Sequence, residues 1–144
     1  MIDADVTIRP ATADDEDAVV ALWHACKLTV SYNDPAADFR FARAKPNSDV
    51  LVGLDGEQIV GSVMVGHDGH RGWVYYVAAD QSRQEQGIGR AMMNAAESWL
   101  EERGVVKLQL MVRETNMPVI AFYEHLGFET IPRTVMQKWL KPSQ

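Results

Sequence analysis

Apolar residues recur along this chain at two spacings, and the switches between them mark its elements. Val19, Leu22, Trp23 and Cys26 fall at i, i+3, i+4 and i+7, one face of a helix. Thr12 stands before that stripe with Asp15 three residues on, an imperfect capping box. Pro35 pushes Asp34 out of helical geometry, so Ser31-Tyr32-Asn33-Asp34-Pro35 is a break, and residues 36–44 start a second, short helix. Residues 6–9, 50–54 and 58–66 read as strands, the last two joined into a hairpin by the tight-turn pair Asp55-Gly56. Another strand-like run covers residues 73–79. Ile88, Ala91, Met92, Ala95, Trp99 and Leu100 then return to helical spacing, with Gly104 as the stop. Val106, Leu108, Leu110 and Val112 alternate with Lys107, Gln109, Met111 and Arg113, the period of a strand. Asn116 caps a last helix carrying Val119, Phe122, Tyr123 and Leu126, which Gly127 closes. Residues 128–131 and 134–140, on either side of Pro132, are expected as closing strands. This mixed order predicts an α+β fold.

A length of 144 residues fits one domain with a sizeable core. No apolar run reaches bilayer-spanning length, and Met1-Ile2-Asp3-Ala4-Asp5 lacks the basic and apolar parts of a signal peptide. A cytoplasmic protein is expected, with no membrane partner. Cys26 is the single cysteine, which excludes an internal disulfide, and its place on the apolar stripe predicts a buried structural thiol. His24 falls outside the stripe and should be solvated. A net charge of −6 argues against nonspecific nucleic-acid binding, which depends on clustered Lys and Arg.

The chemistry concentrates between residues 73 and 91, where a strand, a glycine-bearing turn and a helix follow one another. The first N–H groups of a helix have no partner inside it and point outward, where the helix dipole also favours negative charge. Gly87 and Gly89 lack a Cβ, so an anion can approach the main chain. A bare turn explains this stretch equally well on its own. A dinucleotide fingerprint is excluded, because the position three after Gly89 is Met92; no Gly-Lys-Ser/Thr occurs, which excludes a P-loop.

Two motifs sharpen the reading. The spacing Gln84-x-x-Gly87-x-Gly89 resembles the first motif of the Gcn5-related N-acetyltransferases. Residues 116–128, with Asn116 opening a helix, Tyr123 two turns on and Gly127-Phe128 closing it, resemble that family's second signature. The stretches 32–35 and 68–72 look most like the YpeA group of its bacterial members. The resemblance implies a single N-acetyltransferase domain over 1–144. Its fold would be a mixed, mostly antiparallel sheet with splayed central strands, flanked by helices. It implies acetyl-CoA as co-substrate and transfer to a small-molecule or peptide primary amine by direct attack in a ternary complex. By the same likeness the pyrophosphate rests on main-chain amides of Gln84, Glu85, Gln86, Gly87, Ile88, Gly89 and Arg90. The pantetheine arm lies along Val77, Ala78 and Ala79, and the gap before the next strand admits it. Asn116 stands beside the arm, and Tyr123 protonates the leaving thiolate.

Direct reading of the last two agrees. They are seven residues apart and therefore on one side of the helix. A phenol of pKa ~10 is protonated at neutral pH and able to donate. Capping alone explains Asn116 equally well, and a Tyr on such a face is commonly core. The chain departs from the family pattern at Gln84, Glu85, Ala79 and Gln81, where Arg, Gly, Val and Pro are usual, with Arg83 and Arg90 as compensating charges.

The acceptor must lose a proton, yet the strand at 73–79 carries no Asp or Glu. Proton removal through water is expected, with His70 or Asp68 as a relay; common turn chemistry also explains that stretch. His67, Asp68 and His70 make a poor metal site, so no metal is expected. Tyr32, Asn33, Asp34 and Arg71 are expected on the acceptor side. A non-catalytic acyl-CoA-binding or protein-interaction module on the same fold is the alternative. Trp99, Trp139 and the methionines suit either core or interface, which leaves a homodimer open.

Overall fold

A computed structural model describes residues 5–83 and 86–141. Its centre is a five-stranded sheet in chain order, β1 (Thr7–Pro10), β2 (Ser48–Asp55), β3 (Gln58–His67), β4 (Gly72–Ala79) and β5 (Leu108–Gln109). The first four strands run antiparallel to their neighbours; β5 is parallel to β4. Four α-helices cover the sheet: α1 (Glu16–Ala25), α2 (Pro35–Ala42), α3 (Ile88–Glu101) and α4 (Met117–His125). This is an α+β fold with a mixed, mostly antiparallel sheet. Among the described residues no helix is long and apolar enough to cross a membrane.

Strand alternation gives the sheet two apolar faces, and a separate core forms on each. One holds Leu51, Val63, Val65 and Val74 under Met92, Met93, Ala96, Trp99 and Leu100 of α3. The other holds Val50 and Val52 under Val19, Leu22 and Trp23 of α1 and Phe39 of α2. At two sheet positions α3 lies so close that any side chain is excluded. A Cβ added at Gly61 would sit 2.7 Å from a methyl of Ile88, and one at Gly72 2.6 Å from Leu100.

Local signals place most of the boundaries. Thr12 N–H donates to the Asp15 carboxylate at 2.7 Å, closing the capping interaction ahead of a short 3₁₀ turn and α1. Asp34 caps α2 by accepting from Ala37 N–H at 3.1 Å, with Pro35 in the first turn. Gly104 and Gly127 take the left-handed conformation after α3 and α4 (φ 79° and 97°).

Three expectations are corrected. β5 forms over two residues rather than the alternating eight, and β4 pairs with it only at Gly72 and Trp73. The stretches 128–131 and 134–140 are not strands. Pro132 removes a ladder donor, and the short β5 offers little edge to pair with. Val135, Met136 and Leu140 are exposed, and Trp139 packs edge-on against Tyr32 at 6.1 Å. Cys26 is half-buried rather than buried, its thiol donating to the Ala79 carbonyl at 3.2 Å. Trp99 belongs to the core, with Arg103 stacked 3.5 Å over its ring.

Candidate active site

The site forms where β4 leaves β5. Past Trp73 the two strands part, so the β5-facing edge of residues 74–79 has no ladder partner among the described residues. On its other edge β4 stays paired with β3, Ser62 opposite Ala78 and Gly61 opposite Ala79. The open edge therefore presents backbone N–H and C=O groups that an extended ligand can satisfy.

At the end of β4, a second 3₁₀ turn (Gln81–Arg83) leads to α3. Gly87 caps α3 with φ 77°, a left-handed conformation suited to glycine. The amides of Ile88, Gly89 and Arg90 are the first of the helix and have no partner within it. Gln86 N–H is already engaged, donating to the Arg83 carbonyl at 3.3 Å. Gln84 and Glu85 lie outside the described residues. Gly89 also serves packing: an added Cβ would lie 3.2 Å from the ring of Phe122 on α4. Arg83 is not free to compensate for a missing charge, because it pairs with Asp55 at 2.6 Å and Asp80 at 3.8 Å.

β4 carries a bulge at its middle. Ser62 faces Ala78 while Met64 faces Tyr75, so two steps on β3 span three on β4. Tyr76 absorbs the extra residue with φ 52°, left-handed and strained for a tyrosine. Strict alternation would place Tyr75 and Tyr76 on opposite faces, but the bulge turns both toward one cavity. A buried network holds it. Trp23 Nε1–H donates to Ser62 Oγ at 2.8 Å, and Ser62 Oγ donates to the Tyr76 carbonyl at 3.2 Å. The Trp23 and Tyr76 rings stack at 3.9 Å, and the Tyr76 hydroxyl donates to Asp38 Oδ2 at 2.8 Å. Burial first, then the Asp38 carboxylate, pushes the Tyr76 phenol well above its ordinary pKa.

The cavity on this face measures about 460 Å³. Leu28, Val30, Tyr32 and Asn33 from the α1–α2 connection form one wall, and Asp38, Phe41 and Ala42 of α2 another. Met64 of β3 and the two tyrosines of β4 complete it. Tyr32 and Asn33, two of the residues expected on the acceptor side, are thus part of this lining. Asp34 is not part of the lining and caps α2 instead. Asp68, His70 and Arg71 sit at the β3–β4 hairpin tip, also outside the lining. Asp68 Oδ1 accepts from Arg71 N–H at 2.8 Å and His70 N–H at 2.9 Å, which holds its pKa below the usual carboxylate value. Asp38, Tyr75, Tyr76 and Phe41 escaped the sequence reading. Helix period hid the acid on α2, and no sequence signal marked the bulge.

On the opposite face, α4 carries Asn116 and Tyr123. Asn116 Oδ1 accepts from Val119 N–H at 3.4 Å, the capping bond. The half-buried Tyr123 ring packs edge-on against Phe122 and Phe128 and against the α3 core. Its hydroxyl makes no hydrogen bond among the described residues. Burial pushes the phenol up to about 12, which keeps it protonated at neutral pH. Among the described residues, no three His, Cys, Asp or Glu side chains come together to hold a metal ion.

The model of the acetyltransferase (GNAT) family matches residues 16–128. The chain belongs to the GNAT family. An acetyltransferase of Pectobacterium atrosepticum, ECA0875, is 41% identical over 134 residues, covering 92% of this chain and 94% of its own. Among solved structures, the Escherichia coli ribosomal-protein-S18-alanine N-acetyltransferase superposes with a TM-score of 0.72 at 24% identity, covering 88% of this chain and 79% of its own. AAC(6')-Iy, in complex with the bisubstrate analogue CoA-S-monomethyl-acetylneamine, gives 0.80 at 14% identity, covering 94% and 99%. These two likenesses establish the GNAT fold. With the family match and the curated relative, the protein is an acetyltransferase.

Proposed function

We propose that this acetyltransferase moves the acetyl group of acetyl-CoA directly to a primary amine, with both bound together. The observation that carries the reading is the parting of β4 from β5. The open strand leads on toward the α3 start; Tyr123 packs with the core on one face of the sheet, and the aromatic cavity takes in Tyr75 and Tyr76 of β4. The amides of Ile88, Gly89 and Arg90 would take the cofactor's pyrophosphate, with Gly87 leaving room for its approach. The arm would pair with the open edge at Val77, Ala78 and Ala79, and Asn116 would stand beside it.

The amine then attacks the acetyl carbon. A C–N bond forms, the C–S bond breaks, and the amine's proton leaves to water. Tyr123 gives its proton to the departing sulfur. A phenol held protonated by burial suits that task, and a thiolate leaving into the same desolvated surroundings is itself made more basic. Holding amine and thioester together supplies most of the acceleration. Water takes the proton in this reading, since Asp68 and His70 sit at the hairpin tip, outside the cavity lining. Related structures are named for an alanine of ribosomal protein S18 and for aminoglycosides, so both protein and small-molecule amines belong to the acceptor classes to be tried.

The test is calorimetry with acetyl-CoA, then thiol release over an amine panel. Tyr123→Phe should lower kcat by about 10²-fold, the usual range for a positioned acid, with the acetyl-CoA Kd nearly unchanged. An unchanged kcat would remove Tyr123 from the mechanism. Binding without release on any amine would favour a non-catalytic module.

A further inference from the structure

The cavity beside the β4 bulge carries one charged side chain on its lining, Asp38. Its Oδ2 accepts from the Tyr76 hydroxyl at 2.8 Å. A carboxylate can accept about four hydrogen bonds, and no Lys, Arg or His pairs with this one among the described residues. The surfaces around it are apolar and aromatic: Tyr32, Phe41, Met64 and Tyr75. An unpaired carboxylate in such a setting lacks a cation, and the rings can face that cation as well. The cavity volume, about 460 Å³, is that of a small-molecule site.

Tyr76 ties this acid to the main chain. Its side chain holds Asp38, while its carbonyl is held by Ser62 at the bulge. The ring stacks on the buried Trp23, so the carboxylate is fixed relative to β4 rather than swinging with the surface of α2.

We propose that Asp38 draws the acceptor in as its ammonium, which gives up a proton to water before the neutral amine attacks, and that the acceptor is a primary amine carried on an aromatic or apolar body. The inference rests on the acetyltransferase reading of the site and names its substrate class. Charge on the amine gives affinity through Asp38. The aromatic walls favour an apolar body over a strongly hydrated polycation, the Asp34 and Asp68 carboxylates acting on Tyr76 and Tyr75 only from outside the lining.

The experiment measures binding of phenethylamine, its neutral counterpart 2-phenylethanol and spermidine to the wild-type protein, Asp38→Asn and Tyr76→Phe. Coenzyme A binding is measured in parallel as a fold control, and thiol release is measured with the amines. Phenethylamine should bind the wild type at least tenfold more tightly than 2-phenylethanol or spermidine. Asp38→Asn should weaken phenethylamine at least tenfold and leave 2-phenylethanol and coenzyme A unchanged. Tyr76→Phe should weaken phenethylamine by a smaller factor. Equal binding of the alcohol, tighter binding of spermidine, no binding of phenethylamine, or indifference to Asp38→Asn would each overturn the proposal. The comparison of amine and alcohol on the wild type decides the matter even where a variant fails to fold. Asp38-dependent binding with no thiol release on any amine sinks the transfer reading and leaves the amine site standing. Transfer unaffected by Asp38→Asn does the reverse.

Discussion

Tyr123 shows how burial sets a side chain's chemistry. Its ring is packed between Phe122, Phe128 and the α3 core, and the phenolate would be poorly solvated there. The folded protein therefore keeps this proton up to a pKa of about 12, against 10.0 for the ordinary phenol. A group with a raised folded pKa contributes its stability fully below the unfolded value and loses it as pH rises through the folded one. Between pH 10 and 12 the wild type should lose on the order of 2 kcal/mol more than Tyr123→Phe, as read by urea unfolding of both. Parallel pH curves would mean that the hydroxyl is better solvated than its surroundings suggest. At Gly87 the constraint lies in the backbone. Its φ of 77° strains any residue with a Cβ, so Gly87→Ala should cost about 1–2 kcal/mol and weaken acetyl-CoA in calorimetry.

Between elements, the decisive contact is α3 on the sheet. Ile88 and Met92 press on β3 at Gly61, which lies opposite Ala79 at the end of the open strand. Gly61→Val should destabilise by about 1–3 kcal/mol through overpacking, and it should shift the helix start relative to β4. Denaturant unfolding reads the first effect and the acetyl-CoA Kd the second; tight cofactor binding in a destabilised variant would uncouple them. The β4 bulge depends on Ser62 in the same way. Ser62→Ala would leave the buried Trp23 N–H without an acceptor, at about 1–3 kcal/mol. It would also release the Tyr76 carbonyl, so kcat should fall further than cofactor affinity.

For the molecule as a whole, a net charge of −6 creates a field that draws cations and is screened by salt. The kcat/KM for a cationic amine should fall a few-fold between about 50 and 500 mM NaCl, with a smaller change in kcat; a flat profile would confine the attraction to contact distance. The chain's local chemistry dictated a great deal of this molecule. The hairpin turn at Asp55-Gly56, the cap at Asn116, the glycine stops and the apolar stripes of α1 and α3 follow from contacts a few residues apart, and each formed near its expected place. So did the glycine turn that begins α3, because a helix start needs no distant partner to expose its amides. The length of β5, the unpaired stretch after Phe128, the bulge at Tyr76 and the meeting of Asp38 with that tyrosine were settled by folding. A strand exists only where another edge accepts it. A carboxylate on one helix meets a phenol thirty-eight residues away only when two elements pack, and no spacing along the chain encodes that distance.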